Sequence, residues 1–254
     1  MADSLLSVRA LTKRFGAVQA SDAFSLEVAP GELHALIGPN GAGKTTALNQ
    51  LSGELMPDSG RIAFNGRPIT RMAPHRRARL GLARSYQITS VFERLTVQQN
   101  LSLAIQAHNG HSFRFWRNAA ADPAIAREIE PALVRVGLED RAAIPAANLS
   151  HGEKRQLEVG MALAGHPRML LLDEPYAGMG PGGAVELTKL IRRLKADLTV
   201  LLVEHDMRAV FALADRITVL VYGRAVASGT PEEIRGNPLV RQAYLGDEVN
   251  GCST

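Results

Sequence analysis

The sequence predicts an α/β protein with a mainly parallel sheet, antiparallel strands at its N-terminal end and a helical segment inserted in the middle. Short apolar runs at 169–172, 198–203 and 217–221 alternate with helical segments, which is typical of a parallel sheet covered on both faces. The first 65 residues read instead as strands joined by tight turns, with a hairpin signal at Asn65 and Gly66. The spacing of apolar residues alone therefore indicates the fold class.

The predicted elements divide the chain into two units. Strands are expected at 5–8, 24–28, 33–37 and 62–64, before the three apolar runs, and helices at 185–195 and 207–214. Between Thr96 and about Gly165 the period becomes helical, with prolines marking breaks. We therefore predict a core formed by 1–87 and 166–254, and a helical subdomain at 88–165.

Composition excludes several classes of protein. The single cysteine, Cys252, rules out an intrachain disulfide. No window reaches the roughly 20 apolar residues that span a bilayer, and the first residues lack the pattern of a signal peptide. A net charge of +4 tolerates an anionic ligand, an acidic partner or a lipid surface, but 12 aromatic residues are few for stacking on single-stranded nucleic acid.

Residues 38–45 match the phosphate-binding pattern G-x-x-x-x-G-K-[ST] between a predicted strand and a predicted helix. Glycines let backbone N–H groups converge on phosphate oxygens, Lys44 can reach the β and γ phosphates, and Thr45 can ligate Mg²⁺. Thr46 follows within the same helical turn. The candidate phosphate-binding residues are Gly38, Pro39, Asn40, Gly41, Ala42, Gly43, Lys44, Thr45 and Thr46.

An apolar strand at 169–172 ends in two carboxylates, Asp173 and Glu174. In proteins with such a phosphate-binding loop, we expect this strand to run beside the strand that precedes the loop. Asp173 would then hold the metal's water shell, and Glu174 would orient or deprotonate the attacking water. A turn after the strand is the alternative explanation of the two acids.

Ser150 and Glu153 have two interpretations. Their spacing is that of a capping box, which predicts an ordinary helix N-terminus at this point. The same helix end can serve as an anion site, with Gly152 allowing close approach of the backbone to a phosphate. The residues alone leave the two interpretations even, and both can hold together.

Three single residues are weaker candidates. His205 lies after the strand at 198–203, where open α/β sheets bind ligands, although a histidine there is more often a neighbour of a helix cap. Gln87 is a polar residue just before the helical segment. Phe15 could stack on a base or belong to the core.

Five of these elements, in their order along the sequence, resemble those of the nucleotide-binding subunit of ATP-binding cassette transporters, and the resemblance covers essentially the whole chain. The order runs through 38–45, Gln87, 149–153, 170–174 and His205. The residues at 149–153, 203–207 and 243–246 are most similar to the importers of branched-chain and other hydrophobic amino acids.

The resemblance implies a role for each candidate. Phe15 would stack on adenine, Gln87 would touch the metal and report to a membrane subunit, and His205 would contact the γ-phosphate. Ser150 and Gly152 would bind the γ-phosphate of ATP held by a second protomer. The implied assembly is a head-to-tail pair with two ATP molecules between the subunits, and ATP closes the pair until hydrolysis releases it.

The segments at 149–153 and 177–181 depart from the family pattern. The family usually has glycine where this chain has His151 and glutamine where it has Glu153, changes that the importer branch tolerates. Most members also carry an aspartate in the loop at 177–181, and this sequence has no carboxylate there. Communication between the two ATP sites is therefore the part of the resemblance that transfers least directly.

The resemblance predicts an ATPase that powers an amino acid importer and uses Mg²⁺. Its expected partners are a second ATPase subunit, identical or related, integral membrane permease subunits, and indirectly a periplasmic solute-binding protein. Its expected location is the cytoplasmic face of the inner membrane, without a nucleic acid partner. Rival functions are a urea or amide importer, a lipopolysaccharide-export ATPase, and a soluble scaffold or clamp.

The arginines between 71 and 84 are predicted to form a surface helix.

Overall fold

The structure, a computed structural model, describes residues 4–85, 91–108 and 123–241. Within them the strands are β1 (Leu6–Phe15), β2 (Val18–Val28), β3 (Leu33–Ile37), β4 (Ser59–Phe64), β5 (Arg67–Pro68), β6 (Leu82–Ser85), β7 (Met169–Asp173), β8 (Thr199–Val203), β9 (Arg216–Val221) and β10 (Arg224–Gly229). The helices are α1 (Lys44–Ser52), α2 (Pro74–Arg79), α3 (Val97–His108), α4 (Pro123–Val136), α5 (His151–Leu163), α6 (Pro181–Lys195), α7 (Met207–Leu213) and α8 (Pro231–Gly236).

The larger sheet has the spatial order β10-β9-β3-β8-β7-β6. Its strands are parallel except for β10, which pairs with β9 in the antiparallel direction. The predicted mainly parallel sheet is thus confirmed. The expectation that β7 runs beside β3 is wrong, because β8 pairs with both strands and separates them. All three strands are fully buried, so their hydrophobicity alone does not decide which of them are neighbours.

The N-terminal strands form a separate antiparallel sheet in the order β2-β1-β4-β5, as the sequence predicts. The turn between β4 and β5 uses Asn65 and Gly66 with φ values of 49° and 72°. Two successive residues with positive φ are the requirement of a type I′ hairpin, which matches the right-handed twist of the strands. This sheet covers one face of the larger sheet, where the two share a hydrophobic core.

Alternate residues of the larger sheet face two different cores. Leu171 and Leu201 point towards α1 and the antiparallel sheet, whereas Leu170 and Val200 point towards the helices inserted after β6. These inserted helices, α3, α4 and α5, share that second core with α6. In the described ranges, none of the helices combines the length and the apolarity that crossing a bilayer requires.

The arginine-rich stretch between 71 and 84 differs from the predicted surface helix. The helix α2 covers only Pro74–Arg79, with the Arg77 side chain buried, and the strand β6 begins at Leu82. The Arg77 guanidinium donates hydrogen bonds to the backbone carbonyls of Gln50, Leu51, Thr70 and Met72. Burial lowers the pKa of Arg77 to about 10, which leaves it charged at neutral pH. The arginine therefore anchors the C-terminal end of α1.

Candidate functional site

The loop at 38–43 connects β3 to α1 and depends on its glycines. Gly41 and Gly43 have φ values of 77° and 99°, a region that favours glycine. A Cβ at Gly38 would collide with the carbonyl oxygen of Leu220, and a Cβ at Gly43 with that of Ala20. No side chain caps α1, because Gly43 is its N-cap residue. The N-terminal amides of this helix are therefore left for an external acceptor.

Lys44 folds back over this loop. Its Nζ atom donates hydrogen bonds to the carbonyl oxygens of Gly38, at 2.7 Å, and Pro39, at 3.0 Å. Burial lowers the pKa of Lys44, while the nearby carboxylates of Glu174, Glu204 and Asp173 act in the opposite direction. A buried cation beside bare helix amides makes a site for a polyanion.

Two carboxylates end β7 in different environments. Asp173 is almost fully buried, and its Oδ2 atom accepts a hydrogen bond of 2.8 Å from Arg84 Nη2. Glu174 lies one residue further on, with φ of 42° and a side chain that remains 23% exposed. Such a conformation of a non-glycine residue costs of order 1–3 kcal/mol and is frequent at functional sites. Glu174 is thus turned out of the sheet towards the solvent-accessible edge.

His205 follows β8 at the same edge, as the sequence predicts. Its Nδ1 atom lies 4.0 Å from Glu174 Oε1 and 3.7 Å from Glu204 Oε2, and the side chain is 59% exposed. Parallel pairing of β7 and β8 brings the histidine beside Glu174, because both follow the carboxyl ends of adjacent strands. The imidazole is accessible to a ligand at this edge.

Glu204 is a residue that the sequence analysis missed. It is fully buried, and its carboxylate accepts backbone hydrogen bonds from Tyr176, His205 and Asp206. It therefore holds together the segments that follow β7 and β8. A carboxylate directly after a continuous apolar strand was the available signal.

Arg84 was also missed as a site residue, because the sequence analysis assigned it to the predicted surface helix. It lies on β6, and besides Asp173 its guanidinium contacts Asn49, Ser52 and Glu54. The cation connects the phosphate-loop helix α1 to the carboxylate at the end of β7. Its identity as a buried strand residue depends on these distant partners, which the local pattern does not reveal.

The N-terminus of α5 has the predicted capping box. Ser150 Oγ accepts a hydrogen bond from the Glu153 amide, and Glu153 Oε2 accepts one of 2.8 Å from the Ser150 amide. Burial raises the pKa of Glu153, but hydrogen bonds from Ser150 and Arg141 outweigh it and hold this pKa below its ordinary value. The capping-box interpretation of this segment is thus confirmed. The cap leaves the Ser150 hydroxyl hydrogen available to donate.

Gly152 packs against the start of α6. A Cβ at Gly152 would lie 3.1 Å from the Cα atom of Gly183, closer than ordinary contacts. Gly180 is the N-cap residue of α6 and provides no side-chain cap. The loop at 177–181 therefore offers its backbone, and its only side chains are those of Ala177, Met179 and Pro181. Packing is therefore a second reason for glycine at 152, besides access to a phosphate.

The two remaining candidates differ in what the structure says of them. Phe15 is 51% exposed, which removes the core interpretation, and Lys13 Nζ lies 5.6 Å from its ring centroid. Its hairpin passes the phosphate loop, since Ala20 approaches Gly43. Gln87 lies outside the described residues.

The oxygen donors at this edge fit a magnesium ion held together with phosphates. Thr45 is exposed in the first turn of α1, and Asp173 supplies a carboxylate, which are the hard ligands that Mg²⁺ prefers. Over the part of the chain that the structure describes, no group of three or more His, Cys, Asp or Glu residues forms an all-protein metal site.

Comparisons with known proteins agree with this geometry. A family model described as ABC transporter matches residues 21–177, and one described as branched-chain amino acid ATP-binding cassette transporter matches 226–250. The chain is 40% identical to the high-affinity branched-chain amino acid transport ATP-binding protein LivG of Salmonella typhimurium, over 97% of this chain and 100% of that protein. It is 38% identical to the corresponding protein BraF of Pseudomonas aeruginosa, with the same coverage.

A more distant relative and the solved structures complete the comparison. The lipopolysaccharide export system ATP-binding protein LptB of Acidithiobacillus ferridurans is 36% identical, over 88% of this chain and 89% of that protein. A crystal structure of an ATP-binding cassette in its ADP conformation has a TM-score of 0.85 and 28% identity, covering 96% of this chain and 99% of that one. Such a cassette implies ATP binding and hydrolysis. The chain belongs to the ABC transporter family and is one of its ATP-binding cassettes.

Proposed function

We propose that this chain is the ATP-hydrolysing subunit of an importer for branched-chain or other hydrophobic amino acids. One observation carries the enzymatic part: the phosphate loop, Glu174 and His205 meet where β3, β7 and β8 end at one edge of the sheet. In an open α/β sheet this edge is where ligands bind. The transported solute is inferred from the relatives' names, which specify branched-chain amino acid transport.

The phosphate loop would hold the triphosphate. The free amides at the start of α1 would donate to phosphate oxygens, and Lys44 would exchange its two carbonyl partners for the β and γ phosphates. The exposed ring of Phe15 would stack on adenine. Mg²⁺, held by Thr45, Gln87 and Asp173, would neutralise charge on the phosphates when bound.

Glu174 would act as the general base. Its carboxylate is partly exposed, within reach of a water molecule at the strand edge, and His205 beside it would contact the γ-phosphate. The three backbone hydrogen bonds that Glu204 accepts would keep the histidine in place.

The second half of each ATP site would come from another subunit. In the described residues, the hydrogen bonds of Ser150 and Glu153 involve the start of α5 and Arg141, not the phosphate loop. We therefore assign Ser150 and Gly152 to the ATP of a second ATPase subunit, identical or related, in a head-to-tail pair. In this arrangement 1–87 and 166–254 form the nucleotide-binding core, and 88–165 forms the helical subdomain that carries this contact.

The proposed place of work is the cytoplasmic face of the inner membrane. Permease subunits would bind the helical subdomain there, and a periplasmic binding protein would deliver the solute from the other side. No nucleic acid partner is proposed, because the arginines at 77 and 84 are committed to internal hydrogen bonds. The exposed basic residues are left to form an ordinary mildly basic surface.

Uptake of radiolabelled leucine tests this proposal. Deletion of the gene from its own host should reduce high-affinity leucine uptake, wild-type protein should restore it, and Glu174→Gln should not. Normal leucine uptake in the deletion strain, together with loss of urea uptake or of lipopolysaccharide export, would overturn the solute assignment and favour one of these rival transporters. Purified wild-type protein without Mg²⁺-dependent ATPase activity would overturn the enzymatic assignment.

A further inference from the structure

The peptide bond that joins Asp173 to Glu174 is held from both sides. Its N–H group donates a hydrogen bond of 2.9 Å to the carbonyl oxygen of Val203 on β8. Its carbonyl oxygen accepts a hydrogen bond of 2.7 Å from Arg155 Nη2 on α5. The orientation of this peptide sets the backbone direction at Glu174, whose φ of 42° turns its carboxylate towards the sheet edge. One of the two clamps therefore comes from outside the sheet.

Arg155 is built as a rigid connection. Its side chain is 5% exposed, and Nη1 donates a hydrogen bond of 2.7 Å to Glu158 Oε2, itself 6% exposed. Two different nitrogens of one planar guanidinium thus bind Glu158 and the Asp173 carbonyl. The planar fork limits how far the side chain can adjust if the helix moves.

The same helix begins at the proposed contact with the partner's ATP. Arg155 follows the N-cap residue Ser150 by five positions, which is about 7.5 Å along an α-helix. The intervening residues are helical, so a movement of the N-terminus is carried to Arg155. A shift of α5 must then either stretch the hydrogen bond to Asp173 or rotate the peptide before Glu174.

We infer that Arg155 is a positioning residue that couples the phosphate site at the start of α5 to the orientation of Glu174 in the same chain. This inference rests on the proposed function, because the ligand at α5 is the ATP of the second subunit. It gives each ATP site a route to the other through α5. The route needs no carboxylate in the loop at 177–181, where this chain has none.

The test compares ATP hydrolysis by three variants with that of the wild-type protein. Arg155→Met removes the connection together with the ion pair that buried Glu158 makes with it, so Arg155→Met/Glu158→Leu also replaces the acid and keeps an apolar interior. Arg135→Met is the control, because it makes the same change at a partly exposed ion pair of α4. Thermal unfolding of each protein establishes that it is folded.

In both Arg155 variants we expect kcat to fall by about tenfold or more, with KM for ATP within about twofold of wild type. The Hill coefficient for ATP should fall from above one to about one, and Arg135→Met should match the wild-type protein. With Glu174→Gln added, the double variant should still form an ATP-dependent dimer, because its phosphate contacts are intact. A residue with only a structural role would lower the melting temperature without removing cooperativity.

Two results would overturn the inference. One is wild-type kcat and cooperativity in the folded double variant, and the other is a Hill coefficient of one in an active wild-type protein. If Arg155→Met does not fold, the double variant alone decides the outcome. A wild-type protein that hydrolyses no ATP would instead overturn the proposed function, so the two failures are distinguishable.

Discussion

The N-termini of α1 and α5 are both proposed to bind phosphate, yet they are built in opposite ways. At α1 the N-cap is Gly43, without a side chain, and the loop before it requires positive φ values. At α5 the N-cap is Ser150, and a complete capping box with Glu153 satisfies two backbone amides. One helix end is open in the isolated chain, and the other is already closed by its own residues.

This difference indicates which of the two helix ends can hold ATP within a single chain. The N-terminal amides of α1 have no side-chain cap, and buried Lys44 donates to two neutral loop carbonyls that a polyanion can replace with charged contacts, so this helix end can hold ATP within one chain. At α5 the capping box uses the Ser150 oxygen as an acceptor, while its hydroxyl hydrogen can still donate. The second site therefore offers fewer new contacts, and we expect it to add to a nucleotide already held elsewhere.

Glu174→Gln should have the largest effect. Turnover of ATP should fall by roughly a thousandfold because the general base is lost, while ATP binding at α1 is retained. The two helix ends should then stay joined through unhydrolysed ATP, and gel filtration should show a dimer only with ATP present. Glu186→Gln, at an exposed pair on α6, is the control. A persistent monomer at high protein and ATP concentrations would contradict the two-subunit site.

Lys44→Ala should remove ATP binding by the single chain. We expect the affinity for a fluorescent ATP analogue to fall by about a hundredfold, because the variant loses the buried cation that lies against the phosphate loop. The control is Lys189→Ala, which removes an exposed lysine of α6. Wild-type affinity in Lys44→Ala would show that the open end of α1 is not the primary site.

Ser150→Ala should separate the second site from the first. Loss of the cap should cost about 1 kcal/mol of stability, and the lost hydroxyl should weaken the ATP-dependent dimer of Glu174→Gln by about tenfold. Binding of ATP by the monomer should not change. Thr230→Ala is a matched control, since Thr230 forms the same capping box on α8. Equal dimer loss in both variants would attribute the effect to stability alone.

Glu153→Gln should have the smallest effect and should depend on pH. The pKa of Glu153 is lowered in the folded chain, so its charge stabilises the fold above about pH 4.5, and that contribution disappears as pH falls through the folded-state pKa. The free energy of unfolding of wild type should exceed that of the variant by about 0.5 kcal/mol at pH 7. Urea unfolding should show the difference shrinking towards pH 4. A difference that does not depend on pH would contradict this. Glu233→Gln, at the same position of the α8 capping box, is the control.

The strands of the larger sheet were the easiest part of the fold to predict. Fully buried strands such as β3, β7 and β8 are continuous apolar runs, and their predicted bounds agree with the structure to within a residue or two. Two strands at the margins of the sheet were not predicted. Half of the four residues of β6 are polar, including Arg84, and β10 has mostly exposed residues, so neither shows the pattern of a buried strand.

The site was predictable where one segment supplies its own geometry, as at 38–45. It was not predictable where a residue depends on partners far along the chain. Arg77 is buried because its guanidinium donates hydrogen bonds to the carbonyls of Gln50 and Leu51, and Arg155 matters because it donates one to the Asp173 carbonyl. Local periodicity contains no information on such pairs, and it likewise does not place β8 between β3 and β7.

The hairpin between β9 and β10 reaches the phosphate loop through one hydrogen bond. The amide of Gly223 donates to the Ala42 carbonyl at 2.8 Å, and its own carbonyl accepts from the Asp22 amide. A single residue's backbone thus connects the loop to both sheets. In an NMR or hydrogen-exchange experiment, we expect the Gly223 amide to report nucleotide occupancy, because its acceptor Ala42 belongs to the phosphate loop. This measurement requires no label in the site itself.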